Sequence, residues 1–236
     1  MKYLFPILVI LTGVLLSYAM YQALEVAPTD QQQGDVYRII YYHVPSAWTA
    51  FILFFVNFGA SIYYLIKRCE VADILALTAA EVGVVFQTVN LVTGPIWARP
   101  VWGIWWTWDL RLTSTLVMWL IYVSYLFLRR FSSSGETPLL AAALAVLGAL
   151  CIPFVYFSIW FFRTQHPQPV IGGGGSMDPR MLHVLLLNWL AFSCFAFLVC
   201  WSRFRLEKLQ REVNEAHAMR SLMDDPQEPQ GAHDDF

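Results

Sequence analysis

The sequence predicts an all-α integral membrane protein, a bundle of six transmembrane helices with both termini in the cytoplasm. Three observations carry this: composition, the length of the apolar runs, and the placement of lysine and arginine. Of 236 residues, 58% are hydrophobic and 14% charged, against about 45–50% and about 25% for a soluble domain. Runs long enough to cross about 30 Å of hydrocarbon fall at 3–24, 44–66, 71–92, 112–128, 139–157 and 181–201. With the N-terminus inside, the inside segments hold Lys2, Lys67, Arg68, Arg129, Arg130, Arg203, Arg205, Lys208, Arg211 and Arg220. Only Arg38, Arg99, Arg111, Arg163 and Arg180 are left outside. That asymmetry sets the orientation.

The elements follow in order. The first run carries Lys2 and exceeds the usual 7–15-residue core of a signal peptide, so it reads as a retained helix. The first outside loop ends in Tyr41-Tyr42-His43-Val44-Pro45. Pro45 suits a first helical turn, which puts His43 at the outer mouth of helix two. Helix three carries Glu81 about ten residues in, where an ionisable group faces the bundle or a partner; Gln87 and Asn90 lie near its face. A tryptophan-rich loop then leads to helix four. The last outside loop holds Arg163, His166 and the run 172–175 of four glycines, which reads as a hinge or linker. Residues 203–223 have the alternating charges of a solvated helix, and 224–236 lack apolar periodicity and are expected to be disordered. Two regions result: a membrane domain, 1–202, and a cytoplasmic tail, 203–236.

Some chemistry is excluded. The four cysteines (Cys69, Cys151, Cys194, Cys200) lie within or at the inner ends of helices, so no disulfide framework is implied. No C-x-x-C-H stretch is present for covalent haem attachment to this chain. No phosphate-binding glycine loop or nucleotide motif appears, so the chain has no visible means of using ATP, and nucleic acid is not an expected partner; membrane lipid is.

Five of the ten tryptophans fall between Trp97 and Trp108. They are Trp97, Trp102, Trp105, Trp106 and Trp108. Indole rings do belong at bilayer interfaces, but a belt needs one or two per helix end. The cluster, punctuated by Arg99, Pro100, Gly103, Asp109 and Arg111, is suited to a large flat aromatic ligand. Add His43 and a second outside histidine, and a planar macrocycle with iron at its centre would use every part. Imidazoles supply axial ligands, indole faces cover the ring, and Arg111, Arg99 or Arg38 pairs with propionates. Asp109 either orients a partner or simply starts helix four. From position alone, His166 and His183 compete for the second ligand.

The segment Trp102-Gly-Ile-Trp105-Trp106-Thr-Trp108-Asp109-Leu-Arg111-Leu-Thr-Ser114 closely resembles the "WWD" signature of haem-handling proteins. Six helices and this length resemble the haem exporter protein C (CcmC) family of cytochrome c maturation. Tyr37-Arg38-Ile-Ile-Tyr-Tyr-His43-Val-Pro45 and Leu91-Val-Thr-Gly94 match that family as well, and the likeness covers about residues 20–201. The resemblance implies haem b on the outer, periplasmic face of a bacterial inner membrane, covered by the WWD aromatics. It implies iron held by His43, through the local motif, and by His166, through its place after Arg163-Thr164. It further implies delivery to a membrane-anchored periplasmic haem chaperone. A small single-span membrane subunit would assist, beside the membrane and ATPase subunits of an ABC transporter. On this reading the chain presents haem and is not itself an enzyme. Two rivals are a b-type electron-carrying cytochrome, which needs histidines on facing helices in mid-bilayer, and a haem permease, which needs polar groups near the midplane. Asn57, Glu81 and Pro153 offer the permease some support, so a lateral or internal entry path stays open. A haem-lyase enzyme is disfavoured by length.

Overall fold

The computed structural model describes residues 3–132, 135–162, 164, 166 and 177–224. The glycine run, the tail beyond 224, Lys2 and Arg163 lie outside the described residues. The described residues contain no β-strand and form six helical spans long and apolar enough to cross a membrane. Helix α1 (Leu4–Tyr21) widens into a π-turn over Gln22–Val26, and a 3-10 turn (Asp35–Ile39) feeds α2 (Ile40–Lys67). Then come α3 (Glu70–Trp102), α4 (Leu110–Phe131), α5 (Thr137–Ala149), α6 (Cys151–Phe161) and α7 (Pro179–Asp224). Helices α5 and α6 are two halves of one span.

Several sequence expectations are corrected. Helix α2 starts at Ile40, so Pro45 sits inside it rather than in its first turn. Helix α3 does not stop near residue 92 but runs through Pro95 and Pro100 to Trp102. Each proline removes one backbone donor, yet in a membrane bundle neighbouring helices and hydroxyl side chains support such a helix. The span expected at 139–157 divides at Leu150; three residues on, Pro153 has no N–H to give to the carbonyl of Ala149. Residues 203–223, expected to be helical, do continue helix α7, which at 46 residues is roughly 70 Å long, more than twice a hydrocarbon layer.

Helices α2 and α3 form an antiparallel hairpin turned by Arg68, whose left-handed backbone (φ 53°) caps α2 and lets its N–H reach the Tyr64 carbonyl at 2.8 Å. Their packing is close because Gly83 faces Phe54: a Cβ there would lie 2.7 Å from the Phe54 ring. Phe54 in turn stacks on Tyr122 of α4, centroids 3.8 Å apart and planes 6° from parallel. Further along the hairpin, buried Asn57 donates to the Ala76 carbonyl at 2.8 Å. Helix α1 leans on α7, where buried Asn188 donates to the Ala19 carbonyl at 3.2 Å.

A network of ion pairs sits toward the end of the bundle where α3 begins and α4 ends. Asp73 is buried and paired with Arg129 of α4 and with Arg211 of α7, at 2.8 Å for the latter. Arg211 also meets Glu207 at 3.0 Å. Glu81 is taken by Arg203 in a two-point contact at 2.8 and 2.9 Å, so it ties α3 to α7. All four cysteines are free thiols.

Replacing Gly83 with alanine should force Phe54 off its stack and lower stability by about 1–3 kcal/mol, the usual cost of overpacking. Gly59→Ala is the control, because nothing lies within 4 Å of a Cβ built there. Thermal unfolding of the detergent-solubilised variants tests this; equal melting temperatures for the two would refute the close contact.

Candidate functional site

At the other end of the bundle the helices enclose a chamber of about 630 Å³, within the range of small-molecule and cofactor sites. Each wall comes from a different element. Helix α2 gives His43, Ala47, Trp48 and Phe51; α3 gives Asn90, Gly94, Trp97 and Trp102; the segment after α3 gives Trp105 and Trp106. Arg111 and Thr115 of α4, Val155 and Tyr156 of α6, Trp189 of α7 and His166 close it.

Helical spacing explains the α3 wall: Asn90, Gly94 and Trp97 stand four and three residues apart, on one stripe. The stripe exists only because α3 continues past its first proline. It ends at Gly103, whose left-handed backbone (φ 77°) lets its N–H bond the Arg99 carbonyl at 3.0 Å. The Arg99 guanidinium returns to the Gly103 carbonyl, so this cation braces the turn. Asp109 caps α4, its carboxylate accepting the Leu112 N–H at 2.9 Å. Asp109 thus starts helix four, and it also accepts from the Thr107 hydroxyl at 3.3 Å.

His43 is buried, fourth in α2, with Nδ1 2.9 Å from the Thr93 hydroxyl. Trp97 meets its ring edge-on at 5.7 Å, and the Trp97 indole N–H is held by Gln33 of the first loop at 2.7 Å. The His166 ring faces His43 across the chamber, centroids 6.5 Å apart and planes 31° from parallel. His183, the competing histidine, is exposed on α7 and is not part of the chamber wall. Arg111 lies in the wall and donates to the Val155 carbonyl at 3.2 Å.

Not every expected residue is gathered here. Arg38 is spent on the first loop, bonded to Asp35 at 3.0 Å and to the Ala23 carbonyl at 2.9 Å. Trp108 is 76% exposed and leans edge-on against Trp106 outside the chamber. Conversely, Trp48, Trp189, Asn90 and Tyr156 line the wall without any signal in local sequence, since only packing distinguishes them from other apolar-helix residues. Among the described residues, the buried indole N–H groups of Trp106 and Trp189 have no hydrogen-bond partner.

The fold and chamber together define a multi-pass helical membrane protein with a ligand chamber at one end of its bundle. Comparison with known sequences gives the family. The profile described as heme exporter protein C matches residues 1–219, and the chain belongs to that family. It is 36% identical over 219 residues to "Heme exporter protein C" of Bradyrhizobium diazoefficiens, covering 92% of this chain and 83% of that protein. It is 32% identical over 209 residues to the protein of the same name in Escherichia coli K12, covering 88% and 83%. A "Putative cytochrome c biosynthesis ccmC-like mitochondrial protein" of Marchantia polymorpha is 36% identical over 185 residues, 78% of each chain.

Asp109→Ala removes the α4 cap and should cost about 0.5–2 kcal/mol, while Asp109→Ser keeps a capping oxygen and most of the stability. Melting curves of the two variants distinguish a cap from a residue that acts only on a ligand, which would leave both as stable as the parent.

Proposed function

We propose that the chain binds haem in this chamber through His43 and His166 and delivers it to a periplasmic haem chaperone during cytochrome c maturation. The observation that carries the reading is the pair of facing imidazoles in an aromatic chamber. Two imidazoles on one metal, each at about 2.0–2.1 Å from it, put their ring centroids roughly 6–6.5 Å apart. The separation here is 6.5 Å. Haem iron takes four bonds from its macrocycle, and the two imidazoles would supply the remaining ligands. Among the described residues no three His, Cys, Asp or Glu side chains converge to cage a bare metal ion.

The remaining wall fits the rest of such a ligand. Trp97, Trp102, Trp105 and Trp106 supply flat apolar surface. The Arg111 guanidinium is the chamber's cation and suits a propionate through a charge-assisted bond; the unpartnered indole N–H groups are further donors. Asp109 holds the segment from behind, through the α4 cap. Trp108 and Trp105, 76% and 59% exposed, form an apolar rim where a chaperone would dock. Arg38 acts by holding the first loop, whose Gln33 accepts the Trp97 indole N–H.

The chain contributes position rather than energy. Two ligands and a covered ring fix one edge of the cargo toward the partner, and orientation of that kind lowers the barrier to attachment. Energy for release of the loaded chaperone would come from the membrane and ATPase subunits of an ABC transporter, with a single-span subunit assisting association. The names of the relatives, heme exporter and cytochrome c biosynthesis proteins, support this placement. The Lys and Arg asymmetry supports a chamber on the periplasmic face of a bacterial inner membrane, with both termini in the cytoplasm.

The visible spectrum of detergent-purified protein tests the ligand set. A Soret band is expected in the wild type and should be shifted or lost in both His43→Ala and His166→Ala; a band indifferent to both changes moves the iron elsewhere. Orientation has its own test, in protein whose native cysteines are replaced by serine. A membrane-impermeant thiol reagent applied to intact cells should label Trp108→Cys and spare Leu209→Cys. The reverse pattern would invert the topology.

A further inference from the structure

A histidine ligates iron only through a ring nitrogen that carries no proton, so something must decide which nitrogen of His43 that is. The hydrogen bonding around α3 decides it. Thr93 Oγ1 lies 2.7 Å from the Val89 carbonyl and 3.2 Å from that of Asn90, both on its own helix, and 2.9 Å from His43 Nδ1. A hydroxyl has one proton and two acceptor lone pairs. Two oxygens at 2.7 Å with no proton between them repel, and a carbonyl has no proton to give. The Thr93 proton therefore goes to the Val89 carbonyl, and toward His43 the hydroxyl accepts. Nδ1 must then carry the imidazole proton, and the lone pair is on Nε2.

The neighbouring amide does not alter this. Asn90 Nδ2 is 3.3 Å from Nδ1, 3.2 Å from Nε2 and 3.2 Å from the His43 carbonyl. A position in the ring plane equidistant from both nitrogens would collide with Cε1, so the amide lies over the ring face and donates to the carbonyl. Its own oxygen accepts from Gln87 at 3.1 Å, which fixes the amide's orientation. The ring edge is seated against Gly94, where an added Cβ would come within 3.4 Å of Cε1. His43 is thus held on one edge, on one face and at one nitrogen.

We propose that Thr93 is the positioning residue for His43, accepting its Nδ1 proton so that Nε2 is the nitrogen open to the iron. The proposal rests on the reading of His43 as an axial ligand, and it extends that reading to a residue that need not touch the ligand. A hydrogen bond on the distal nitrogen fixes tautomer and ring orientation and raises ligand basicity, and losing such a partner typically weakens binding about 10–100-fold.

The tautomer can be read without haem. Nitrogen-15 NMR of the full-length, histidine-labelled, haem-free protein distinguishes protonated from unprotonated ring nitrogens, with the His43 signals identified by their absence in His43→Ala. Wild type and Thr93→Ser should show Nδ1 protonated; Thr93→Val, which keeps the shape and loses the acceptor, should show a mixture or the opposite tautomer. Nε2 protonated in the wild type, or an unchanged pattern in Thr93→Val, overturns the proposal. Haem titration of the same proteins should show retention about 10–100-fold weaker in Thr93→Val and near normal in Thr93→Ser; equal retention in both also overturns it. Should His43→Ala bind haem as tightly as wild type, the ligand reading fails by itself, whatever the tautomer.

Discussion

The structure depends on the close antiparallel contact between α2 and α3. Gly83 lets the two helices approach until Phe54 fills the space a methyl group would take, and that approach sets the register of everything along the hairpin. Toward the turn, Asn57 meets the Ala76 carbonyl. Toward the open end, the same register brings His43 level with Asn90, Thr93 and Gly94. A slip of one residue would rotate His43 by about 100° relative to α3 and part it from the hydroxyl that orients it. Packing in the apolar middle of the bundle thus places a polar contact at its end, because close-packed interiors transmit position with little slack.

The two ends of the bundle are built differently. At one, Asp73 is shared between Arg129 and Arg211, and Glu81 is taken up by Arg203. Charges in or near a bilayer are costly unless paired, and these pairs join α3 to α4 and to the long helix α7. Removing one partner of such a buried pair is usually far more damaging than never having had it. The chamber wall carries a different population: imidazoles, indoles and the Arg111 guanidinium. An anionic flat ligand suits that population.

The tryptophan segment is two structures rather than one. Trp97 and Trp102 belong to α3, and Trp97 is locked by His43, Tyr37 and Gln33. Trp105, Trp106 and Trp108 follow the left-handed turn at Gly103, and their burial falls from Trp106 inward to Trp108 outward. A wall fixed on the helix side and open on the loop side suits the proposed gripping and passing on of a cargo. Helices give fixed geometry at low entropic cost, whereas loops supply the exposed surface that a partner can reach.

By itself the sequence determined the membrane-spanning helical class, the number of spans, the aromatic segment and the candidate histidine His43. Those features are written in apolar run length and local composition, which depend on hydrocarbon thickness and side-chain chemistry rather than on packing. It did not determine where α3 ends, because proline's local penalty argues for a break and only neighbouring helices offset it. Nor could it say that His166 rather than His183 stands in the chamber wall, assign Arg38 to the first loop, give Asp109 its cap, or reveal Trp48, Trp189 and Thr93. Each of these is a contact between residues distant in the chain, or a choice between two locally reasonable roles. Tertiary packing decided them, since only it sets which side chains share a distance of a few ångströms.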